Sequence, residues 1–227
     1  MCVFSIDDIS ALIKKISPFY SSIHNTSTKE INVAEMYFSN NPKYGYGRTF
    51  NNLILCDTVF LKKGNSLIHE MLHTILPTKY ENNRDGDFLM NESLIEYLAI
   101  YLTYKENRHL LYDKFNLIDT SFFYDTVGIK SVSDYYKKKI TLYNIPENSN
   151  SVIQHVIYYK GPSLIYKYLS KKIGPEQFED ILISFYNTYL NKNDYVSYTT
   201  FLNFLSSAGV SADIIYNFDY AVKNICY

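Results

Sequence analysis

The sequence predicts an α+β domain, with a small sheet-bearing lobe over residues 1–76 and a mainly helical lobe over 77–227. Three observations predict it. Runs of β type occur only before residue 58, apolar residues recur at helical spacing from Asn65 onward, and no linker, repeat or low-complexity tract divides the chain. The 227 residues suffice for one sizeable core, and a hydrophobic share of 47% favours folding over disorder.

At the N-terminus, Ser5 stands as a helix cap before "IDDISALIKKI", whose apolar residues keep helical spacing from Ile6 to Ile16. "EINVAEMYF" (Glu30–Phe38) and "NLILCD" (Asn52–Asp57) read as strands bounded by Asn, Gly and Pro. Helices are predicted over 65–76, 88–106, 108–118, 132–142, 151–159, 162–173, 175–191, 198–207 and 211–224. "PTKYENNRDGD" (77–87) is a loop with Asp-Gly as its turn signal.

Several function classes are disfavoured. A net charge of -1 leaves no electrostatic footprint for nucleic acid or an anionic membrane. No apolar run approaches the length of a membrane span, and "MCVFSIDDIS" lacks the basic-then-apolar pattern of a secretory leader. The 3 cysteines, Cys2, Cys56 and Cys226, show neither metal-type spacing nor a disulfide framework. A reducing, cytoplasmic setting is the expectation. The abundant tyrosines are read as packing residues, and the oligomeric state stays open.

The segment "HEMLH" (69–73) carries chemistry. On a helical wheel of 65–76, Leu67, Ile68, Met71, Leu72, Ile75 and Leu76 fill one half. Ser66, His69, Glu70, His73 and Thr74 fill the other. Glu70 is the one charged residue between Asn65 and Leu76, so this second face is expected to look into protein or a cleft rather than water. His69 and His73, one turn apart, can share a metal ion, and Glu70 can act as a base beside it; H-E-x-x-H is the signature of zinc proteases. A catalytic zinc takes three protein ligands and keeps one position open, which calls for a further donor. In "NESLIEYLAIYL" (91–102), Glu92 and Glu96 lie on the one non-apolar stripe of an otherwise buried helix. Two acids there require a cation or strong donors nearby.

Glu92 follows His73 after the intervening residues 74–91, and it sits in an Asn-Glu pair within "LMNESLIEYL". This arrangement resembles the zinc pattern of the aminopeptidase N and leukotriene-hydrolase family of gluzincins. The resemblance implies a thermolysin-like zincin catalytic domain in which His69, His73 and Glu92 hold Zn2+. Glu96, one turn beyond Glu92, resembles the acid that thermolysin-like enzymes place four residues after the ligand Glu. From there it can orient a ligating histidine. The aminopeptidase family more often uses the position seven residues on, which here is Ala99.

The chemistry implied is hydrolysis of a peptide bond, with Glu70 as general base and a separate donor for the oxyanion. In the resembling family that donor is the Tyr of Tyr-Glu-Lys-Gly. Tyr158, Lys160 and Gly161 of "YYKGPSLIYKYL" match it, with Tyr159 in place of the Glu, so Tyr158 is the candidate. The family's amine-binding Gly-Ala-Met-Glu-Asn segment corresponds to "GRTFN" within "GRTFNNLIL" (47–55). Gly47 and Asn51 fit, while Phe50 replaces the amine-binding Glu. Phe50 and Asn51 are therefore candidate substrate contacts without an amine clamp. That departure favours an endopeptidase acting on a peptide or protein, held by strand addition along Asn52–Cys56. An aminopeptidase, a catalytically degenerate peptide-binding module and a helical scaffold with a structural zinc are the competing readings.

Overall fold

A computed structural model describes residues 6–23, 31–35, 47–50, 53–57, 64–76, 89–115, 161–189 and 196–224. Helix α1 (Ile6–Ser21) opens it. This helix runs past Ile16, through Pro18, one turn further than the apolar spacing predicts. Pro18 removes one backbone donor, but Phe19 and Ile23 are buried and anchor that last turn. Ser5, the expected cap, lies outside the described residues.

The sheet has three strands, β1 (Asn32–Glu35), β2 (Gly47–Phe50) and β3 (Leu53–Cys56), in the order β1-β3-β2. β1 pairs with β3 in parallel, and β2 pairs with β3 antiparallel. β1 and β3 lie within the two predicted strands; β2 is an additional one. Its register sets Thr49 opposite Ile54, Arg48 opposite Leu55 and Phe50 opposite Leu53. Residues opposite one another share a face. Ile54 and Cys56 are buried, so Thr49 belongs to the inner face, while Arg48 and Phe50 are exposed on the outer one.

Helix α2 (Gly64–Ile75) packs against β2 and against α3 (Leu94–Tyr104). One continuous helix is predicted over 88–106, but the structure places a π-helical turn at Leu89–Ser93 before α3 begins. Such wider i→i+5 turns concentrate at functional sites. The cause here is local packing: Leu89, Met90 and Ser93 are all buried, and the buried Tyr166 hydroxyl donates to the Leu89 carbonyl at 2.9 Å. α3 is apolar nearly all round and correspondingly central, with every residue from Tyr97 to Thr103 buried. Residues 108–115 form a further helical segment.

The remaining described helices are α4 (Gly161–Ile173), α5 (Pro175–Tyr189), α6 (Tyr198–Ser207) and α7 (Ala212–Asn224), each near its predicted bounds. Gly174, at a φ of 109°, turns the chain between α4 and α5 where a side chain would be strained. Ser197 and Thr200 form a reciprocal capping box at the start of α6. Tyr166, Phe185, Phe201 and Phe218 interlock across these helices, Phe185 and Phe201 edge to face at 5.3 Å. One apolar cluster runs from Leu12 of α1 to Val222 of α7, so the sheet-bearing and helical parts share a core. The predicted helices at 132–142 and 151–159 and the loop at 77–87 lie outside the described residues. Among the described residues no helix is long and apolar enough to cross a membrane.

Candidate metal centre

The site forms where α2 crosses the π-turn and the first turn of α3. On α2, the apolar half of the wheel locks the helix into the core, with Leu67, Ile68, Met71 and Leu72 all buried. The opposite half is covered too. His69 is 4% exposed and Glu70 9%, so these polar side chains need partners inside the protein. The partners come from the one non-apolar stripe of the π-turn and α3.

His73 Nε2 stands 3.0 Å from His69 Nε2, and Glu92 Oε2 lies 3.3 Å from the first histidine and 3.4 Å from the second. These three atoms form a nearly equilateral triangle. Donors about 2.05 Å from a tetrahedral zinc stand about 3.3 Å apart. The observed edges match that spacing, so His69, His73 and Glu92 fit a single ion. Among the described residues no other group of histidine, cysteine or acidic side chains converges in this way.

The tautomer of His69 follows from its other nitrogen. Nδ1 lies 2.9 Å from Glu96 Oε2, so an Nδ1–H donates to that carboxylate, and Nε2 is the nitrogen able to offer a lone pair to an ion in the triangle. Glu92 and Glu96 thus flank the same imidazole, one at each nitrogen. Burial by itself disfavours the charged form of His69. The Glu92 and Glu96 carboxylates outweigh it, and the His69 pKa is pushed up to about 10. Burial likewise pushes the Glu92 carboxyl up, but hydrogen bonds to His69 and His73 hold it well below the usual carboxylate range. Without a cation in the triangle, a proton on the imidazoles has to balance the carboxylates.

Glu70 sits on the sheet side of this arrangement. The hydroxyl of Thr49, on the inner face of β2, lies 2.5 Å from Glu70 Oε2 and 3.1 Å from the Glu70 main-chain carbonyl. Thr49 is a site residue that spacing and resemblance both passed over. No signal within the sequence marked it, because Gly47–Phe50 shows no apolar alternation. Tyr166, which secures the turn carrying Glu92, was likewise one tyrosine among 24.

Of the sequence candidates, the structure brings together His69, His73, Glu92, Glu96 and, beside them on α2, Glu70. Phe50 does not join that cluster. It is 47% exposed on the outer face of β2, with the Arg48 guanidinium 5.2 Å above its ring. Asn51 and Tyr158 lie outside the described residues. The expected strand addition along Asn52–Cys56 is corrected by the topology. β3 is the central strand, and its backbone is already paired with β1 on one side and β2 on the other. Among the described residues the free edge next to the site belongs to β2.

The chain matches no family model. No curated protein matches it in sequence.

Proposed function

We propose that the chain is a zinc-dependent metallopeptidase of gluzincin type, with the thermolysin-like lobe arrangement that this implies. The observation that carries the reading is the triangle of His69 Nε2, His73 Nε2 and Glu92 Oε2, with edges of 3.0 to 3.4 Å, next to a buried carboxylate on the same helix. Two histidines and one carboxylate leave a tetrahedral ion one open position, which suits catalysis rather than a closed structural site.

His69, His73 and Glu92 would hold the metal, and Glu96 would orient His69 through its Nδ1–H. Bound zinc supplies Lewis acidity toward water and a carbonyl oxygen. Glu70 takes the proton of the attacking water and returns one to the leaving amine. Its burial keeps bulk water from competing for that proton. The oxyanion role falls to Tyr158, assigned from its Lys160-Gly161 context; Gly161 itself opens α4. A peptide backbone extends along β2, whose outer edge is free among the described residues and lies beside Glu70. Phe50 brings no carboxylate to a substrate ammonium group and faces away from Glu70, which favours internal cleavage over aminopeptidase action.

Metal analysis of the purified chain, paired with a peptide library, tests the reading. About one zinc per chain and cleavage at internal bonds are expected. Glu70→Gln should keep the zinc and abolish hydrolysis. A zinc-loaded wild type that cleaves no peptide in the library, or a chain that takes up no metal, overturns it. Trimming from the N-terminus alone would replace endopeptidase by aminopeptidase.

A further inference from the structure

We infer that Thr49 is a positioning residue for Glu70: its hydroxyl clamps one carboxylate oxygen to strand β2, leaving the other for proton transfer. The inference rests on the reading of Glu70 as the base. Thr49 Oγ1 lies near two acceptors of the same residue, the carboxylate Oε2 at 2.5 Å and the main-chain carbonyl at 3.1 Å. A hydroxyl has one proton and can serve only one of them. The carbonyl is already served. It accepts from the Thr74 hydroxyl at 3.2 Å, in addition to the i→i+4 bond of its own helix. The carboxylate is the closer and the charged acceptor, and charge-assisted O–H···O bonds are the short ones. The Thr49 proton therefore goes to Oε2.

The consequence is positional. A glutamate side chain has three rotatable bonds, and the helix backbone restrains only the first of them strongly. With Oε2 tied to β2, the carboxylate plane is fixed against the sheet instead of being set by α2 alone. Register makes this possible. Thr49 shares the inner face with Ile54, whereas its neighbours Arg48 and Phe50 point outward, so a shift of one residue would remove the clamp altogether. The strand proposed to align the peptide also holds the base, so both take their positions from the same four residues.

Thr49→Val keeps the branched shape and removes the hydroxyl; Thr49→Ser keeps the hydroxyl and removes the methyl. Expected in peptide hydrolysis at saturating zinc is a kcat lowered about 10- to 100-fold in Thr49→Val, with KM within about two-fold and zinc content unchanged. Thr49→Ser should recover kcat to within about three-fold of wild type. A second readout needs neither metal nor turnover. The Glu70 carboxyl-carbon NMR resonance of the metal-free protein, assigned by its loss in Glu70→Gln, should move in Thr49→Val and stay in place in Thr49→Ser. An active wild type whose kcat is untouched by Thr49→Val overturns the positioning role while leaving the peptidase reading intact. Equal damage from Val and Ser assigns the effect to packing and overturns it as well. An unmoved resonance in Thr49→Val shows that the bond is absent. A wild type inert with zinc bound removes the base role of Glu70, and this inference with it.

Discussion

Zinc binding should expel about one proton from His69 at pH 8, although an ordinary histidine would have almost none to lose. The perturbation is addition of zinc to the metal-free chain. In that chain the Glu92 and Glu96 carboxylates flank His69 and push its pKa up to about 10, against the opposing influence of burial. A group with that pKa is about 99% protonated at pH 8, whereas an imidazole at about 6.5 carries only ~0.03 proton. A metal ligand must offer a lone pair, so the Nε2 proton has to leave when the ion enters. Titration calorimetry in buffers of differing ionisation enthalpy reads the number directly. The slope of observed enthalpy against buffer enthalpy should be close to one proton per zinc. A slope below about a third of a proton would mean that the two carboxylates do not hold charge on the imidazole.

The same linkage predicts how the metal-free protein responds to pH. Folded His69 keeps its proton above the pH at which the unfolded chain loses it. Its stabilisation is therefore fully present below the ordinary imidazole value of 6.5 and is lost as pH rises through about 10. Glu92 runs the other way, stabilising above the ordinary carboxylate value of 4.5 and ceasing to as pH falls through its depressed folded value. Metal-free Tm should hold level between those two values and decline toward alkaline pH. The rise in Tm on adding zinc should grow from pH 6.5 to 9, since metal then displaces a proton the solution is readier to accept.

Two further substitutions separate the metal from its support. Glu96→Ala should weaken zinc affinity about 10- to 100-fold, because the outer partner of a ligating histidine fixes its tautomer; competition with a chromophoric chelator measures it, and an unchanged affinity would remove Glu96 from the site. Tyr166→Phe takes the 2.9 Å donor away from the buried Leu89 carbonyl and should cost about 1–3 kcal/mol, read as a lower midpoint in chemical denaturation with the slope unchanged. Because that bond secures the turn bearing Glu92, the same variant should also bind zinc more weakly than wild type.

The α+β class was legible because its signals are local. Helical spacing marks α4 to α7 nearly to their ends, since each presents one apolar stripe to a shared core, and the same periodicity gathers His69, Glu70 and His73 onto the polar half of α2. The pairing of those histidines with Glu92 was legible from spacing and resemblance. What the local pattern could not contain was anything set by contact between distant segments. Helix α1 passes through Pro18 because the burial of Phe19 and Ile23 outweighs a local stop signal. β2 is a strand because β3 offers it an open edge: its four residues, Gly-Arg-Thr-Phe, mix strand-favouring types with Gly and Arg and show no apolar alternation. At the π-turn, the Leu89 carbonyl accepts from the hydroxyl of Tyr166, 77 positions away. Residue type and helical periodicity were enough to show which side chains could hold a metal and which helices carry them. Folding in three dimensions was needed to bring Thr49 to Glu70, to set Glu96 at the second nitrogen of His69, and to place β2 rather than β3 beside the site. Hydrogen-bond geometry and strand order arise between elements, and periodicity within one element carries no record of its neighbours.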